Sequence, residues 1–297
     1  MKRQTKKLNS KKIIQVVTML ILCLILVFAC IFGYSVYKDT AAFDSKKLLS
    51  SGASVMYDSN GDIMYTYGSQ ENGTRKNVTY DDLPQVLVDA IVAAEDSRFF
   101  EHNGFDLPRI VKAALSNLKA GGITGGGSTI TQQLIKNVTG DNETSSERKI
   151  REIFRAMQLE KKYPKDTILE SYLNCIYFGR VDNNNLNGIE AASIAYFGKS
   201  TKDLSIAEAA CLASIPKDPF LYNPIDNPEK NKTRREYVLY KMFENGVISP
   251  EQYEDALNEK LIFTNSDEFK RLNPDFKLFD EEEEEIEYDE DGNAINL

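Results

Sequence analysis

An uninterrupted run of uncharged residues near the N-terminus constrains this chain more than any other feature. It extends over 25 residues, from Ile13 to Tyr37, and a helix of that length reaches roughly 37 Å, enough to cross the core of a bilayer. Six basic residues and no acidic one lie in the first twelve positions, which places the N-terminus in the cytoplasm. We therefore predict a cytoplasmic basic tail (1–12), a single transmembrane helix (13–37) and an extracellular remainder.

Two alternatives to a membrane anchor have less support in the sequence. A cleaved signal peptide also begins with basic residues, but its apolar core usually spans only ~7–15 residues. A lipoprotein signal ending at Cys30 conflicts with the bulky Phe28, which stands where a small residue is expected.

Charge is distributed unevenly along the chain, whose net charge is −9. Residues 280–291 carry ten acidic side chains and no basic one, so 280–297 is predicted to be an acidic disordered tail. Without this tail and the first twelve residues, 30 basic side chains face 35 acidic ones. A balance of this kind argues against nucleic acid as a partner.

Hydrophobic periodicity predicts a mainly α body behind a small β-hairpin. Two β runs flank Asp58–Gly61, whose Asn-Gly pair is typical of a hairpin turn, so 38–79 is predicted to be a stalk and hairpin lead-in. Helical periodicity with capping residues extends from Leu83 to about Leu212, and two more helices are predicted in a C-terminal extension, 226–279. The predicted helices of the body are 109–118 behind Asp106, one that starts at Thr144 with Glu147 completing a capping box, 165–175, 189–196 and 205–214.

Two of the four cysteines, Cys175 and Cys211, lie beyond the apolar run, and both stand in apolar helical segments. We predict buried free thiols rather than a disulfide or a metal site.

Several classes of active site are disfavoured by what the chain contains. It has one histidine, His102, which excludes a histidine-rich metal site and makes a Ser-His-Asp triad improbable. The segment GGITGGGST has no lysine before its hydroxyl pair, so a nucleotide-binding P-loop is disfavoured. Its glycines instead predict a loop that leads into a helix opening near Ser128.

Three segments remain that could carry chemistry: Glu95-Asp96, GGGSTITQQLIKN (125–137), and Arg148-Lys149 with Glu152. On a helix, residues three and four apart share a face, so both bases flank Glu152. Taken alone, that cluster would be interpreted as a solvated ion-pair face.

In combination, the motifs resemble the family 51 glycosyltransferases, the peptidoglycan polymerase domain of class A penicillin-binding proteins and of monofunctional transglycosylases. Five motifs appear in the family's order over about half of the chain. They are EDSRFFEHNG (95–104), GGSTITQQLIKN (126–137), RKIRE (148–152), KDTILESYLN (165–174) and GIEAASIAYFGKS (188–200).

This resemblance implies a lysozyme-like glycosyltransferase domain over 80–225. The implied activity is polymerisation of lipid II into β-1,4 glycan strands at the outer face of the cell membrane, with inversion and release of undecaprenyl pyrophosphate. The implied partners are lipid II, the growing lipid-linked glycan, the membrane and other proteins of cell-wall synthesis. The apolar helix between the first two motifs, RIVKAALSNL, resembles the family's membrane-dipping subdomain.

Roles for single residues follow from the same resemblance. Glu95 is implied as the catalytic base, and Glu152 as a second catalytic residue that orients the cations or holds a divalent metal, Mg²⁺ or Mn²⁺. Asp96 and His102 are implied as supporting residues, and Glu170, Tyr172 and Asn174 as residues that hold the fold. Substrate-binding roles are implied for Ser128, Thr129, Gln132, Gln133, Lys136, Arg148 and Lys149.

The chain departs from the family pattern at two places. Thr144 stands where the family often has a basic residue, and the linker GRVDNNNLNG before the fifth motif contains an unusual asparagine run. The S-x-x-K matches in the chain lack the companion motifs of a transpeptidase, so crosslinking activity is not expected from it. A lysozyme-type glycan hydrolase and a catalytically weak cell-wall scaffold are the alternative functions.

Overall fold

The computed structural model describes residues 10–40, 54–57, 63–67, 77–122, 126–139, 145–182 and 184–278. The strands form two antiparallel pairs, β1 (Ser54–Tyr57) with β2 (Ile63–Tyr67) and β3 (Tyr177–Val181) with β4 (Asn184–Asn187). The helices are α1 (Ser10–Thr40), α2 (Gln85–Glu95), α3 (Leu107–Ala120), α4 (Ile130–Thr139), α5 (Ser146–Lys162), α6 (Lys165–Cys175), α7 (Ile189–Phe197), α8 (Ile206–Ser214), α9 (Pro228–Glu244), α10 (Pro250–Asn258) and α11 (Asp267–Leu272).

This architecture confirms the predicted mainly α fold with a small N-terminal hairpin and an N-terminal apolar helix. Within α1, the segment Ile14–Tyr34 has a mean hydropathy of 3.0 and is, by length and composition, able to cross a membrane. The hairpin turn Asp58–Gly61, Thr144 and the acidic tail 280–297 lie outside the described residues.

The chain divides into two compact units, residues 1–48 with 103–163 and residues 49–102 with 164–297. In the first unit, α4 packs against α5. Leu134 and Ile135 of α4 and Ala156 and Leu159 of α5 are buried, because the apolar residues of each helix recur on one face.

Helix α5 begins one residue later than the sequence predicted. Its N-cap is Ser145, whose Oγ accepts a hydrogen bond from the amide of Arg148 at 3.1 Å. The predicted capping box of Thr144 with Glu147 is therefore wrong, because the third helical residue after the actual cap is Arg148, which has no carboxylate to return the bond.

The second unit is built around α8, which packs against α2 and α9. Ser205 and Glu208 form a complete capping box at the start of α8, and its alanine-rich sequence allows close approach of the neighbouring helices. Ile91 of α2, Leu212 of α8 and Val238 of α9 are fully buried in this core.

Two side chains of α6 hold the segment that precedes α2. Asn174 accepts a hydrogen bond from the amide of Val78 at 2.9 Å and donates one to the Val78 carbonyl at 2.8 Å. Glu170 accepts a bond from the amide of Tyr80 at 2.8 Å. Asn174 thus satisfies both backbone groups of one residue, as a neighbouring strand would.

The segment interpreted as an asparagine-rich linker forms the β3–β4 hairpin instead. Tyr177 pairs with Asn187, and Arg180 with Asn185, with a register shift between these pairs. Asparagine is depleted in strands because its side chain competes for backbone hydrogen bonds, so composition concealed this element.

Both cysteines of the second unit are free thiols, as predicted. Cys211 is fully buried and donates to Asn231 Oδ1 at 3.1 Å, whereas Cys175 is only half-buried. Burial raises the pKa of the Cys211 thiol to about 12.

Replacing Asn174 with alanine should destabilise the chain. The variant loses both bonds to Val78, and we expect the free energy of unfolding to fall by about 1–3 kcal/mol. Denaturant titration followed by circular dichroism measures the change. Asn258→Ala removes one exposed bond within a helix and serves as the control; an equal effect of both variants would contradict this role of Asn174.

The raised pKa of Cys211 should make stability fall at alkaline pH. Between pH 9 and 12 the unfolded thiol ionises while the folded one stays neutral, so its contribution is complete below pH 9 and is lost as the pH rises. At pH 10 the expected loss is about 1–2 kcal/mol. Unfolding titrations of the parent chain and of Cys211→Ala at pH 8 and pH 10 test this, and identical pH slopes would refute it.

Candidate active site

A buried carboxylate between two cations is the central feature of the first unit. Glu152 on α5 is only 4% exposed, and its two oxygens pair separately with Arg148 and Lys149. The helix itself creates this arrangement, because Arg148 lies four residues and Lys149 three residues before Glu152. Two positive charges share one negative charge, so the cluster has an excess positive charge that favours an anionic ligand.

Lys149 also connects α5 with the start of α4. Its Nζ donates to Ser128 Oγ at 2.8 Å and to Gln132 Oε1 at 3.1 Å. With Glu152 as the third acceptor, the three protons of the ammonium group can all be directed to oxygen atoms. The structure therefore brings together four of the predicted site residues: Ser128, Gln132, Lys149 and Glu152.

Gln132 is fully buried and also belongs to the cap of α4. Its Oε1 accepts a hydrogen bond from the backbone amide of Thr129 at 3.3 Å, and its backbone amide donates one to Thr129 Oγ1 at 3.2 Å. This reciprocal pair is a capping box, in which the side chain at the third helical position returns the bond of the cap. Gln132 thus positions Lys149, and a direct contact of Gln132 with substrate stays a prediction.

Gly104 contacts both Thr129, the cap of α4, and the backbone of α5. Its carbonyl accepts a bond from Thr129 Oγ1 at 2.9 Å, and its φ is +88°. A Cβ atom at this position would lie 2.7 Å from the carbonyl carbon and oxygen of Ala156, one helical turn beyond Glu152. Only glycine permits this approach, and the sequence signal for it was the glycine that closes the first motif.

The two remaining predicted residues of this unit, Gln133 and Lys136, also lie on α4. Lys136 is exposed in the last turn of α4, and Gln133 is half-buried. Sequence reasoning missed the buried Thr131, whose hydroxyl donates to Glu160 and so links α4 to α5. No spacing rule indicated this pair, because the two residues are 29 positions apart.

The second unit holds the predicted base. Glu95 is the last residue of α2 and is 7% exposed. The next residue, Asp96, is fully buried, and its Oδ2 lies 2.8 Å from His102 Nε2. This pair closes the loop that follows Glu95, which fits the supporting role implied for both residues.

Tyr172 lies behind Glu95. Its phenol is fully buried, and burial together with the negative charge of Glu95 raises its pKa well above the ordinary range. Phe99 is also fully buried, with Lys165 Nζ 4.3 Å from its ring centroid. Glu95 therefore lies near a phenol that is fully buried and stays neutral.

The described residues do not fit a divalent metal bound by protein groups alone. Both oxygens of Glu152 are engaged by cations, and no cluster of three or more His, Cys, Asp or Glu side chains that could hold an ion occurs in the described part of the chain. Hard divalent cations require several oxygen ligands. The use of Mg²⁺ or Mn²⁺ stays a prediction.

Helix α3 presents an apolar face to solvent. Leu107, Val111, Leu115 and Leu118 are between 48% and 80% exposed, and a groove of about 710 Å³ runs along them, with Lys112 and Lys119 among its lining residues. Exposed apolar faces of this kind mark binding surfaces for lipid or protein.

A buried carboxylate, Glu95, in the second unit and the cationic cluster in the first unit are the kinds of group used by enzymes that transfer a group from an anionic donor. Comparison with known proteins agrees with this class. Residues 60–243 match the family described as transglycosylase, and the chain belongs to that family.

Curated relatives are penicillin-binding proteins. Penicillin-binding protein 1A of Aquifex aeolicus is 43% identical over 244 residues, which cover 81% of this chain and 32% of the relative. Penicillin-binding protein 1F of Bacillus subtilis is 38% identical over 248 residues, covering 83% and 33%. A crystal structure of penicillin-binding protein 1A from Haemophilus influenzae is 22% identical, with a TM-score of 0.36, and covers 71% of this chain and 21% of that one. The chain thus spans about a third of the length of the curated relatives it matches.

Substituting Gly104 should disturb the support of the cluster. Gly104→Ala forces a Cβ into the backbone of Ala156 and places a side chain at positive φ, so we expect a loss of roughly 2–4 kcal/mol of stability. Gly121→Ala is the matched control, because Gly121 has a φ of +67° but nothing within 4 Å of the added Cβ. Denaturant titrations of both variants separate the clash from the backbone strain; similar losses would contradict the close approach at Gly104.

Proposed function

We propose that this chain is a membrane-anchored peptidoglycan glycosyltransferase that polymerises lipid II. The observation that carries the proposal is the Arg148–Lys149–Glu152 cluster around a buried carboxylate, bonded to Ser128 and Gln132, in a member of the transglycosylase family. Such a cluster suits a reaction whose leaving group is a pyrophosphate.

Glu95 is the proposed general base. A sugar hydroxyl becomes a competent nucleophile when its proton is removed as the new bond forms, and a positioned carboxylate can accept that proton. The 4-hydroxyl oxygen of the acceptor attacks the anomeric carbon of the donor, and the bond from that carbon to the pyrophosphate oxygen breaks. Attack from the opposite side inverts an α-linked donor into a β-1,4 glycosidic bond.

Arg148 and Lys149 are the proposed partners of the departing pyrophosphate. This leaving group needs its growing negative charge stabilised rather than a proton supplied, which preorganised cations can do. Arginine offers a bidentate fork for phosphate oxygens, and lysine a point charge. Glu152 holds both cations in place before the substrate binds, so little reorganisation is needed during the reaction.

The apolar helices account for the lipid part of the substrate. The exposed leucines and valine of α3 could receive the hydrocarbon of a lipid-linked sugar, while Lys112 and Lys119 remain at the polar margin. Helix α1 would anchor the chain in the same bilayer, with its basic N-terminal side in the cytoplasm and the residues that follow α1 outside.

A glycan hydrolase is the closest enzymatic alternative. Such an enzyme needs an acidic group that protonates the departing sugar oxygen. Glu152 is a poor candidate because Arg148 and Lys149 engage both of its oxygens, so neither oxygen is directed at a departing sugar. This observation favours transfer over hydrolysis.

The full chain in detergent should convert labelled lipid II into long glycan strands. Glu95→Gln keeps the size of the side chain but removes the base, and we expect the rate to fall by a factor of about 10²–10⁴. Gel separation of the products measures the effect. Glu101→Gln, in the same loop but exposed, should leave the ladder unchanged.

Three other results would change the assignment. Cleavage of preformed strands would favour the hydrolase, and the absence of polymer from a folded chain would favour the scaffold. Repeating the reaction with EDTA, with Mg²⁺ and with Mn²⁺ tests the predicted metal separately.

A further inference from the structure

A surface on the β3–β4 hairpin has features that the proposed reaction does not use. Phe220 is 69% exposed, more than any other phenylalanine whose exposure the structure describes. Its ring centroid lies 6.1 Å from that of Tyr177 on β3. Arg180 and Asn185 are exposed cross-strand partners on the same hairpin. We name these four residues, Tyr177, Arg180, Asn185 and Phe220, the hairpin platform.

The loop that carries Phe220 is held firmly. The Phe220 carbonyl accepts from Asn227 Nδ2 at 3.0 Å, and the amide of Leu221 donates to Asp218 Oδ1 at 3.0 Å. The buried Asn223 donates to the Arg180 carbonyl at 3.0 Å and so joins the loop to β3. The exposed ring is therefore positioned before any ligand binds, which reduces the entropy lost on binding.

Gly179 allows the loop to approach the strand. It has a φ of +93°, and a Cβ at this position would lie 3.1 Å from the Pro219 carbonyl oxygen and 3.1 Å from the Tyr196 hydroxyl. The residue before Phe220 thus packs directly on the backbone of β3. The close contact between this loop and β3 therefore fixes the position of Phe220 in the platform.

Polar groups surround the aromatic rings. The Tyr177 hydroxyl donates to Asn185 Oδ1 at 3.2 Å, which leaves the Asn185 amide nitrogen and the phenol oxygen able to bind further groups. Opposed residues of antiparallel strands share a face, so Arg180 lies beside Asn185. Within the described part of the chain, the Arg180 guanidinium has no carboxylate partner.

We propose that the hairpin platform binds a peptidoglycan strand, with a sugar ring on Phe220 and a stem-peptide carboxylate on Arg180. The C–H bonds of a sugar face pack well on the negative face of an aromatic ring, and the amide and phenol can bind its hydroxyls. Arginine is suited to bidentate contact with a carboxylate. This inference rests on the proposed function, which supplies the glycan.

The position of the platform in the second unit fits this ligand. Tyr177 follows Tyr172 by five residues, a span of at most about 17 Å, and the charge of Glu95 acts on Tyr172. A strand whose terminal sugar reaches Glu95 and a sugar ring on the platform would therefore both lie against the second unit. Asparagines on β4 favour sugar hydroxyls over a bilayer, although Leu221 is also partly exposed.

The test measures binding of soluble glycan strands to the full chain in detergent micelles. The strands are lipid-free and uncross-linked, and they are used with their stem peptides and after amidase has removed them. Phe220→Ala should weaken binding of both forms at least about fivefold. Arg180→Gln should weaken binding of the peptide-bearing form alone. Phe243→Ala, an exposed phenylalanine on α9, is the control and should bind like the parent chain, and thermal melts verify folding.

The other outcomes distinguish failure of the platform from failure of the proposed reaction and from binding to a membrane. Equal strand binding by the parent chain, Phe220→Ala and Arg180→Gln would overturn the platform even if lipid II is polymerised. Loss of strand binding in Phe220→Ala would support the platform even if no polymer forms, in which case only the proposed reaction fails. Binding to phosphatidylglycerol vesicles that depends on Phe220, without strand binding, would replace the glycan by a membrane and overturn the proposal.

Discussion

The carboxylate of Glu152 is the interaction on which the first unit depends. A carboxylate removed from water is costly unless it is paired, and two cations would repel each other without it. The buried Glu152 carboxylate is therefore tolerated because of Arg148 and Lys149, which are themselves only partly exposed. Two positive charges and one negative charge leave one positive charge in excess. The ion pairs that stabilise the unit therefore also attract an anion.

Around this cluster, contacts with backbone groups hold the side chains in place. Thr129 Oγ1 accepts a hydrogen bond from the Gln132 amide, which caps α4, and donates one to the carbonyl of Gly104. Gly104 in turn lies against the backbone of α5. Lys149 thus receives its acceptors from a rigid frame, which limits the number of conformations it can adopt when no ligand is bound.

Local patterns in the sequence predicted the elements that local interactions determine. Helix α6 was predicted at its observed bounds, and the face shared by Arg148, Lys149 and Glu152 followed from helical spacing alone. The β3–β4 hairpin was not predicted, because its asparagines are poor strand formers and its position depends on distant residues such as Asn223. The contacts of Lys149 with Ser128 and Gln132 join residues 21 and 17 positions apart, a separation at which spacing rules give no information.

The hydrogen bonds from Asn174 and Glu170 to the backbone of Val78 and Tyr80 have a mechanical consequence. If the proposed membrane anchor pulls on the chain, tension that travels along the backbone reaches α2 through this segment. The pull meets two bonds to one side chain and a third bond four residues earlier on the same helix, before it can reach α2. Such tension would thereby be shared with α6 before it reaches the helix that ends in Glu95.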